Sequence, residues 1–408
     1  MTIRTPALVP ALVIVADDLT GAADSAARCV QAGLSAEVWL EPTHEPAQVD
    51  VVAVSSDSRF LLPAEAAQRV RETLAILATG PTAAGVTWYK KIDSTLRGNL
   101  GAELEAMLAL LPGKSAVISP AFPAQGRGLE GGKLVYAGAP PRHLPTLLSA
   151  QSQFVVGVIG LATVRQGVHA LRKTLQERRR QGERLLVVDG MTDADLVTIV
   201  AAANTDAYLL CGSAGMVGPL AARWTTQQTS PEVQTTRIPP GPILAVVGSG
   251  SKTAHVQVAQ VKRTGIMHVR VLGHSWYEMD LVGAQCHPVG DWLLHLAPPT
   301  DNTQLEGPTA RAQAARLADL TYAAVDRLQP GALILVGGDT AYYVLRRLGI
   351  ERLRVAEELL PGIPLTFGVD RHGVERAVVL KPGNFGDKAT LVTLHTALRE
   401  RQQALPDV

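Results

Sequence analysis

Residues 11–32 read ALVIVADDLTGAADSAARCVQA, and this stretch decides the fold class. Its first six residues are apolar on both faces of an extended chain, which is typical of a strand covered by helices on two sides. Helical spacing follows at 21–32. The loop between them, 16–21, carries Asp17 and Asp18. The stretch therefore predicts a strand–loop–helix unit of an α/β domain, with polar groups at the carboxyl end of the strand.

The same alternation of short apolar strands and longer helices continues along the chain. In the first half it predicts strands at 49–54, 86–90, 116–119, 154–158, 185–189 and 208–210, and helices at 64–77, 102–110, 164–180 and 193–203. In the second half it predicts strands at 243–247, 268–272, 332–336 and 377–380, and helices at 253–263, 309–328, 341–348 and 388–402. This order indicates two doubly wound α/β domains with mostly parallel sheets.

The length of 408 residues exceeds what one hydrophobic core usually supports. A polar, Pro-rich stretch at 225–242, TTQQTSPEVQTTRIPPGP, separates the two halves. We predict an N-terminal domain over 1–228, a linker over 229–242 and a C-terminal domain over 243–408. Clefts between domains commonly hold ligands, so we expect the active site there.

Composition excludes several classes of protein. A net charge of +1 argues against a nucleic-acid binder, which would need a basic surplus. Cys29, Cys211 and Cys286 lie far apart and form no CxxC, so they give no disulfide or zinc framework, and the adjacent Cys286 and His287 are a poor metal site. With no cleavage pattern and no run of 18 apolar residues, we predict a cytoplasmic protein without a membrane partner.

Asp17 and Asp18 admit two interpretations. One aspartate can serve as a helix N-cap, whereas two adjacent carboxylates are costly without a partner and favour a functional site. Such a pair can bind sugar hydroxyls, hold a cation or act as a base. A haloacid-dehalogenase phosphatase would also place an aspartate after its first strand, but its D-x-D spacing differs from the contiguous pair here.

Two further loops in the first half carry groups suited to a carboxylated polyol. The segment 90–99, KKIDSTLRGN, follows a predicted strand, as does 55–59, SSDSR. Lys91, Arg97 and Arg59 can hold a carboxylate, Ser94 can bond a hydroxyl, and Asp93 can accept a proton. The alternative is a salt-bridged structural loop. Arg127, in the loop 119–127, is equally compatible with a substrate contact and a turn.

Three glycine loops follow strands of the second half. The segment 248–253, GSGSKT, opens a helix and includes Ser249 and Ser251; GGDTA occupies 337–341, and LKPGNFGD occupies 380–387. A strand-to-helix glycine loop aims backbone N–H groups at a phosphate. The first loop resembles a Walker A loop but lacks two of its glycines. Together the three loops indicate a nucleotide site.

These motifs, in this order, resemble the four-carbon acid sugar kinase family. The resemblance rests on ADDLTGAAD, SDSR, KIDSTLRGNLGAE, SPAFPAQGR, VDGMTDADL, CGSAGM, GSGS, GGDTA and LKPGNFGD, and it spans nearly the whole chain. It implies a two-domain α/β protein that transfers the γ-phosphate of ATP to the terminal hydroxyl of a four-carbon sugar acid. The KxDSTxRGN form resembles the D-threonate branch, with D-erythronate and 3-oxo-tetronate as alternative substrates.

The resemblance also implies the contacts of each ligand. Substrate contacts fall at Asp17 or Asp18, Arg59, Lys91, Ile92, Asp93 and Ser94, and ATP contacts fall at Ser251, Gly337, Gly338, Asp339, Thr340 and Gly383. The chain departs from the family pattern with Gly250 and Ala254, where Cys and Thr are frequent, and with Pro382 before Gly383.

We hypothesise a mechanism in which Arg59, Lys91 and Arg97 hold the carboxylate of the acid, and Asp18 or Asp93 deprotonates its hydroxyl. Mg²⁺ would bridge the ATP phosphates, and the sequence assigns it no protein ligand. A homo-oligomer is compatible with the sequence.

Two other functions remain as alternatives to the kinase. One is a nicotinamide-dependent oxidoreductase, although no GxGxxG follows the first strand of either half, and the other is a non-catalytic sugar-acid sensor.

Overall fold

The computed structural model describes residues 10–43, 48–78, 85–137, 140–225, 237–272, 290–296 and 308–403. The chain forms two compact units, Met1–Thr229 and Ser230–Val408. Cys286 and His287 lie outside the described residues, within which no three His, Cys, Asp or Glu side chains are grouped to hold a metal ion. In the same part of the chain, no helix has the length and apolar character needed to cross a bilayer.

The first unit alternates strands and helices as predicted. Its strands are β1 Leu12–Ala16, β2 Ala36–Trp39, β3 Val51–Ser55, β4 Thr87–Lys91, β5 Ser115–Ser119, β6 Gly128–Glu130, β7 Lys133–Val135, β8 Arg142–His143, β9 Val156–Ile159, β10 Leu185–Val188 and β11 Tyr208–Gly212. Its helices are α1 Leu19–Gln31, α2 Pro63–Ala78, α3 Leu100–Leu110, α4 Leu144–Gln151, α5 Leu161–Val164, α6 Val168–Arg180, α7 Asp193–Ala202 and α8 Val217–Thr225.

The main sheet of this unit is parallel, in the order β2-β3-β1-β4-β11-β5-β10-β9. The chain passes from β1 to β2 and β3 on one side of the sheet and then crosses to β4 on the other side of β1, so β1 and β4 form a topological switch point. Ligands bind at the carboxyl ends of strands at such points. Asp17 follows β1 and Ile92 follows β4, so both predicted loops begin there.

The second unit repeats this design. Its strands are β12 Ile243–Val247, β13 His268–Leu272, β14 Trp292–Leu296, β15 Ala332–Val336, β16 Arg352–Leu360, β17 Ile363–Val369 and β18 Glu375–Lys381; its helices are α9 Lys252–Thr264, α10 Pro308–Leu328, α11 Gly338–Leu348 and α12 Thr390–Gln403. The sheet order is β13-β14-β12-β15-β18-β17-β16, with the β18–β17 and β17–β16 pairs antiparallel and the others parallel. Here the switch point lies between β12 and β15, where two of the glycine loops begin.

The α/β class with mostly parallel sheets is confirmed. The central strands β1 and β12 are buried along their whole length, which explains their uninterrupted apolar sequences. One predicted element was wrong: the helix expected over 164–180 is divided into α5 and α6. Gly167 lies between them with a φ of 97°, a conformation that favours glycine and ends the helical path.

Candidate active site

The two aspartates after β1 are bound by one arginine. Arg59 donates from Nε and Nη2 to the two oxygens of Asp17, at 2.8 Å each, and from Nη1 to Asp18 Oδ2 at 2.6 Å. Asp17 and Arg59 are buried, so this forked geometry is held in a low-dielectric setting. The structure thus supplies the partner that two adjacent carboxylates require.

The backbone places Arg59 there. Ser58 and Arg59 donate their N–H groups to the Asp17 carbonyl, at 3.1 and 3.2 Å. Gly98, at φ 95°, packs against this segment, since a Cβ on it would lie 3.3 Å from Arg59 Cγ. The loops after β1, β3 and β4 therefore come together around Arg59, as the parallel sheet predicts.

Asp18 caps the N-terminus of α1 and also presents an ionised carboxylate beside Arg59 and Lys91. It is the N-cap of α1, with Oδ1 accepting from the Gly21 N–H at 2.8 Å and Oδ2 accepting from Thr20 Oγ1 at 2.8 Å. The N-cap interpretation and the functional interpretation are therefore compatible in one side chain. Burial acts to raise the pKa of Asp18, but Arg59 and Lys91 outweigh it and lower that pKa, so the carboxylate is ionised at neutral pH.

The two adjacent lysines at the end of β4 have different surroundings. Lys90 is fully buried and its Nζ lies 2.7 Å from Glu103 Oε2 of α3. Burial opposes its charge, but Glu103 more than offsets this and raises the pKa of Lys90. Lys91 instead lies at the start of α1, because a Cβ on Gly21 would come 2.8 Å from Lys91 Nζ and 2.6 Å from Asp18 Oδ1. Lys91 is therefore the lysine that joins the aspartate cluster.

Asp93 fixes the loop after β4. It accepts from Thr95 Oγ1 at 2.5 Å and from Arg97 Nε at 2.7 Å, and its carbonyl accepts from the Leu96 N–H at 2.9 Å. Leu96 has a φ of 62°, a strained conformation for leucine. Burial acts against the charge of Asp93, yet Arg59 and Arg97 hold its pKa far below the usual range. A carboxylate so fully engaged is a poor base near neutral pH.

The other predicted site residues of this unit, Ile92 and Ser94, lie in the same loop after β4. Ile92 is buried and its N–H donates to the Gly212 carbonyl at 2.9 Å, which anchors the loop to β11. Ser94 Oγ accepts a hydrogen bond from Arg127 Nη1. Arg127, whose role the sequence left open, thus contacts a predicted substrate residue, and its guanidinium lies 5.9 Å from the Tyr136 ring centroid.

Sequence reasoning missed two groups near this loop. Glu103 lies within a predicted helix, where nothing in the local sequence marks it as the partner of a lysine. Arg142 lies in the short strand β8, and its Nη1 donates to the Thr95 carbonyl at 2.9 Å. Only the tertiary structure places Glu103 and Arg142 close to the loop after β4.

In the second unit the three glycine loops converge. A Cβ on Gly248 would lie 2.3 Å from Thr340 Oγ1, and a Cβ on Gly383 would lie 2.0 Å from Ser249 Oγ. Gly337, at φ 109°, donates its N–H to the Lys381 carbonyl at 2.9 Å. The loops after β12, β15 and β18 therefore approach more closely than residues with side chains would allow.

Two helices begin at these loops. Ser251 is the N-cap of α9, accepting from the Ala254 N–H at 3.1 Å, and its Oγ donates to the Gly383 carbonyl at 2.6 Å. Gly338, Asp339 and Thr340 form the first turn of α11. Helix N-termini attract anions, so the predicted phosphate contacts are grouped at two positive helix ends.

Comparison with known proteins agrees with this arrangement. A family model described as a sugar-binding N-terminal domain matches residues 12–220, and one described as a nucleotide-binding C-terminal domain matches residues 244–391. A D-threonate kinase of Cupriavidus necator is 35% identical over 95% of this chain and 98% of its own length. The chain belongs to the four-carbon acid sugar kinase family.

Other family members are similar over comparable lengths. A D-threonate kinase of Bordetella bronchiseptica is 31% identical over 96% of this chain and 98% of its own length. A 3-oxo-tetronate kinase of Cupriavidus necator is 28% identical over 95% of this chain and 96% of its own length. A solved structure from Salmonella typhimurium shares the fold, with a TM-score of 0.75 at 24% identity, covering 95% of this chain and 99% of that chain.

Family membership makes the protein a phosphotransferase that acts on a hydroxyl group and uses ATP. It also sets aside the oxidoreductase and the non-catalytic sensor as rival functions.

Proposed function

We propose that this kinase phosphorylates the terminal hydroxyl of D-threonate. The proposal rests on the cluster of Asp17, Asp18, Arg59 and Lys91 at the switch point of the first sheet, in which Asp18 is half-buried and the other three are buried. The chain's near-full-length relatives include D-threonate kinases. A sugar acid presents hydroxyls, which pair with carboxylates, and a carboxylate, which pairs with cations.

We divide the predicted contacts by role. All three nitrogens of Arg59 donate to Asp17 or Asp18, so its first role is to orient those carboxylates. Lys91 and the part-exposed Arg97 then provide charge for the carboxylate of the acid. This refines the earlier hypothesis, in which Arg59 held the acid directly.

Asp18 is the carboxylate that we assign to the reacting hydroxyl. Both carboxylates accept hydrogen bonds, Asp93 from Thr95 and Arg97 and Asp18 from Thr20, Gly21 and Arg59. We choose Asp18 because it lies at the helix start beside Lys91, at the switch point of the sheet. Its lowered pKa keeps it ionised, so it accepts a hydrogen bond from the hydroxyl and aligns it for attack. Phosphoryl transfer depends mainly on such positioning and on electrostatic stabilisation, so a strong base is not required.

We assign the ATP phosphates to the convergent glycine loops and the starts of α9 and α11. The described residues contain no group of three metal-ligating side chains. Mg²⁺ that accompanies a nucleotide is usually held by phosphate oxygens and water with only one or two protein carboxylates. When bound, Mg²⁺ would neutralise phosphate charge during transfer.

Substitution of Gly383 by Ala should test the nucleotide assignment. The new Cβ would overlap Ser249 Oγ and separate the loops after β12 and β18. Overpacking of this size costs about 1–3 kcal/mol, so we expect ATP to bind about tenfold more weakly in titration calorimetry. D-threonate binding should be unchanged.

Gly218→Ala, in α8 of the first unit, is the matched control, because no atom lies within 4 Å of the Cβ it would add. ATP affinity that is equal in both variants would contradict the placement of phosphate beside Gly383.

D-erythronate is the second candidate substrate. A D-erythronate kinase of Heliobacterium modesticaldum is 38% identical, over 46% of this chain and 47% of its own length. The two acids differ in the configuration of one hydroxyl, and the same charged groups would recognise both.

A substrate panel tests the proposal. ADP release should be measured with Mg-ATP and D-threonate, L-threonate, D-erythronate, 3-oxo-tetronates or glycerate. We expect the highest kcat/KM with D-threonate. A higher value for another four-carbon acid would correct the substrate, and absence of turnover with every acid would refute the proposed function.

A further inference from the structure

A lysine lies beneath the three glycine loops. Lys381 is the last residue of β18 and is paired in register with Val336 of β15. Its carbonyl accepts from the N–H of Gly337, and Gly383, two residues further on, accepts from Ser251 Oγ. Lys381 therefore lies where the loops after β12, β15 and β18 meet.

The ammonium group of Lys381 is fully buried, and its Nζ donates to the Pro382 carbonyl at 3.0 Å. No aspartate or glutamate of the described residues forms an ion pair with it. Lys90, equally buried near the end of a strand in the first unit, does have such a partner in Glu103. A buried amine supported by one carbonyl is costly, since the charge loses its water without gaining a counter-ion.

Burial lowers the pKa of Lys381 to about 7. Nearest in sequence to the three loops, the titratable and charged groups are Lys252 and His255 of α9, Asp339 of α11, and Asp387 and Lys388 of the loop after β18. Farther along the helices, α9 carries Lys262 and Arg263, α11 carries Tyr342, Tyr343, Arg346 and Arg347, and α12 carries His395, Arg399, Glu400 and Arg401. β15 and β17 carry no charged residue. The amine is thus close to half protonated at neutral pH and lacks an anion.

We propose that Lys381 is the cationic residue that binds a phosphate group of the nucleotide in this unit. The inference rests on the proposed function, and it adds a residue outside the contacts assigned above. The ligand chemistry is a phosphate oxyanion of a nucleoside di- or triphosphate, which supplies the negative charge that the surroundings of Nζ lack. Lysine is suited to phosphate as a point charge.

The proposal predicts that proton uptake accompanies nucleotide binding. An anion beside Nζ favours the ammonium form, so the bound protein holds a proton that much of the free protein lacks above pH 7. Nucleotide affinity should therefore weaken as pH rises from 7.5 to 9, by up to about tenfold per unit. The terminal phosphate loses its last proton mostly below this range. That loss would strengthen binding to a cation as the pH rises, so it does not account for weaker binding.

The test is titration calorimetry of the full chain with ATP, in two buffers of different ionisation enthalpy, at pH 7.5, 8.2 and 9. Lys381→Met keeps the shape but removes the charge, and Lys381→Arg keeps a charge that does not titrate. Lys388→Met removes the same charge at an exposed position in the following loop. Thermal unfolding of each variant verifies folding; we expect Lys381→Met to be at least as stable as the wild type, since it removes a buried amine.

We expect Lys381→Met to bind ATP about 10- to 100-fold more weakly, without proton uptake, because a charge-assisted hydrogen bond is lost. Lys381→Arg should bind with an affinity that does not change with pH, and Lys388→Met should match the wild type. ATP affinity and proton uptake that are unaltered in Lys381→Met would overturn this inference and leave the kinase proposal intact. A wild-type protein that binds no ATP would overturn both.

Discussion

Asp18→Asn is expected to lower kcat for D-threonate by about 10²- to 10³-fold, the range for loss of one positioned hydrogen-bonding group of an active site. Asparagine retains the oxygen that caps α1 but not the negative charge that aligns the hydroxyl. The fold and the ATP affinity should be preserved, but the Tm should fall, because the amide nitrogen cannot accept from Arg59 Nη1 as Asp18 Oδ2 does. Steady-state kinetics, with ATP titration calorimetry and thermal unfolding, measure the three quantities separately.

Two further variants distinguish the role of Asp18 from that of other carboxylates. Asp193→Asn removes an exposed carboxylate from the first turn of α7 and should leave kcat unchanged. Asp93→Asn weakens the hold on Arg97, so we expect it to raise KM for the acid more than it lowers kcat. If Asp18→Asn retained kcat within threefold of the wild type while Asp93→Asn lost it, the two aspartates would have to exchange roles.

Arg59→Met should have the second large effect, on both stability and activity. It leaves the buried Asp17 carboxylate without its forked partner, and breaking a buried ion pair in this way costs about 3–5 kcal/mol. For a unit of this size the loss corresponds to a decrease in Tm of about 10 °C. Activity should fall as well, because Asp18 loses its 2.6 Å contact with Arg59 Nη1.

Arg71→Met, on the exposed face of α2, is the matched control and should change neither property. Arg59→Lys should be intermediate, since lysine restores the charge but cannot bond two carboxylates with a planar fork. A Tm for Arg59→Met within 2 °C of the wild type would show that the buried cluster is not held together as described.

The residues at the carboxyl ends of the strands could be predicted because the pattern that marks them lies within a few neighbouring residues of the sequence. An apolar run such as β1 or β12 marks a buried parallel strand, and the polar residues that follow must lie at its carboxyl end. The sequence alone therefore predicts that Asp18, Arg59 and Lys91 lie at one edge of the first sheet, and that the glycine loops lie at one edge of the second sheet.

Other elements escaped prediction for physical reasons. The hairpin strands β16 and β17 carry charged and proline residues within antiparallel pairing, and the sequence signal there was weak. The partner of Lys90 could not be found either, because Glu103 is one of several acidic residues on helices and only packing selects it. Lys381 was visible in the motif LKPGN, but its burial without a counter-ion belongs to the folded structure alone.

Identification of the reaction product tests the central claim most directly. The purified protein is incubated with Mg-ATP and D-threonate, and the product is examined by ³¹P NMR with coupling to protons. We predict one ester phosphorus coupled to the two protons of the terminal carbon, with ADP formed in equal amount. Release of inorganic phosphate without an ester, or an ester phosphorus coupled to a single proton, would contradict phosphorylation of the terminal hydroxyl.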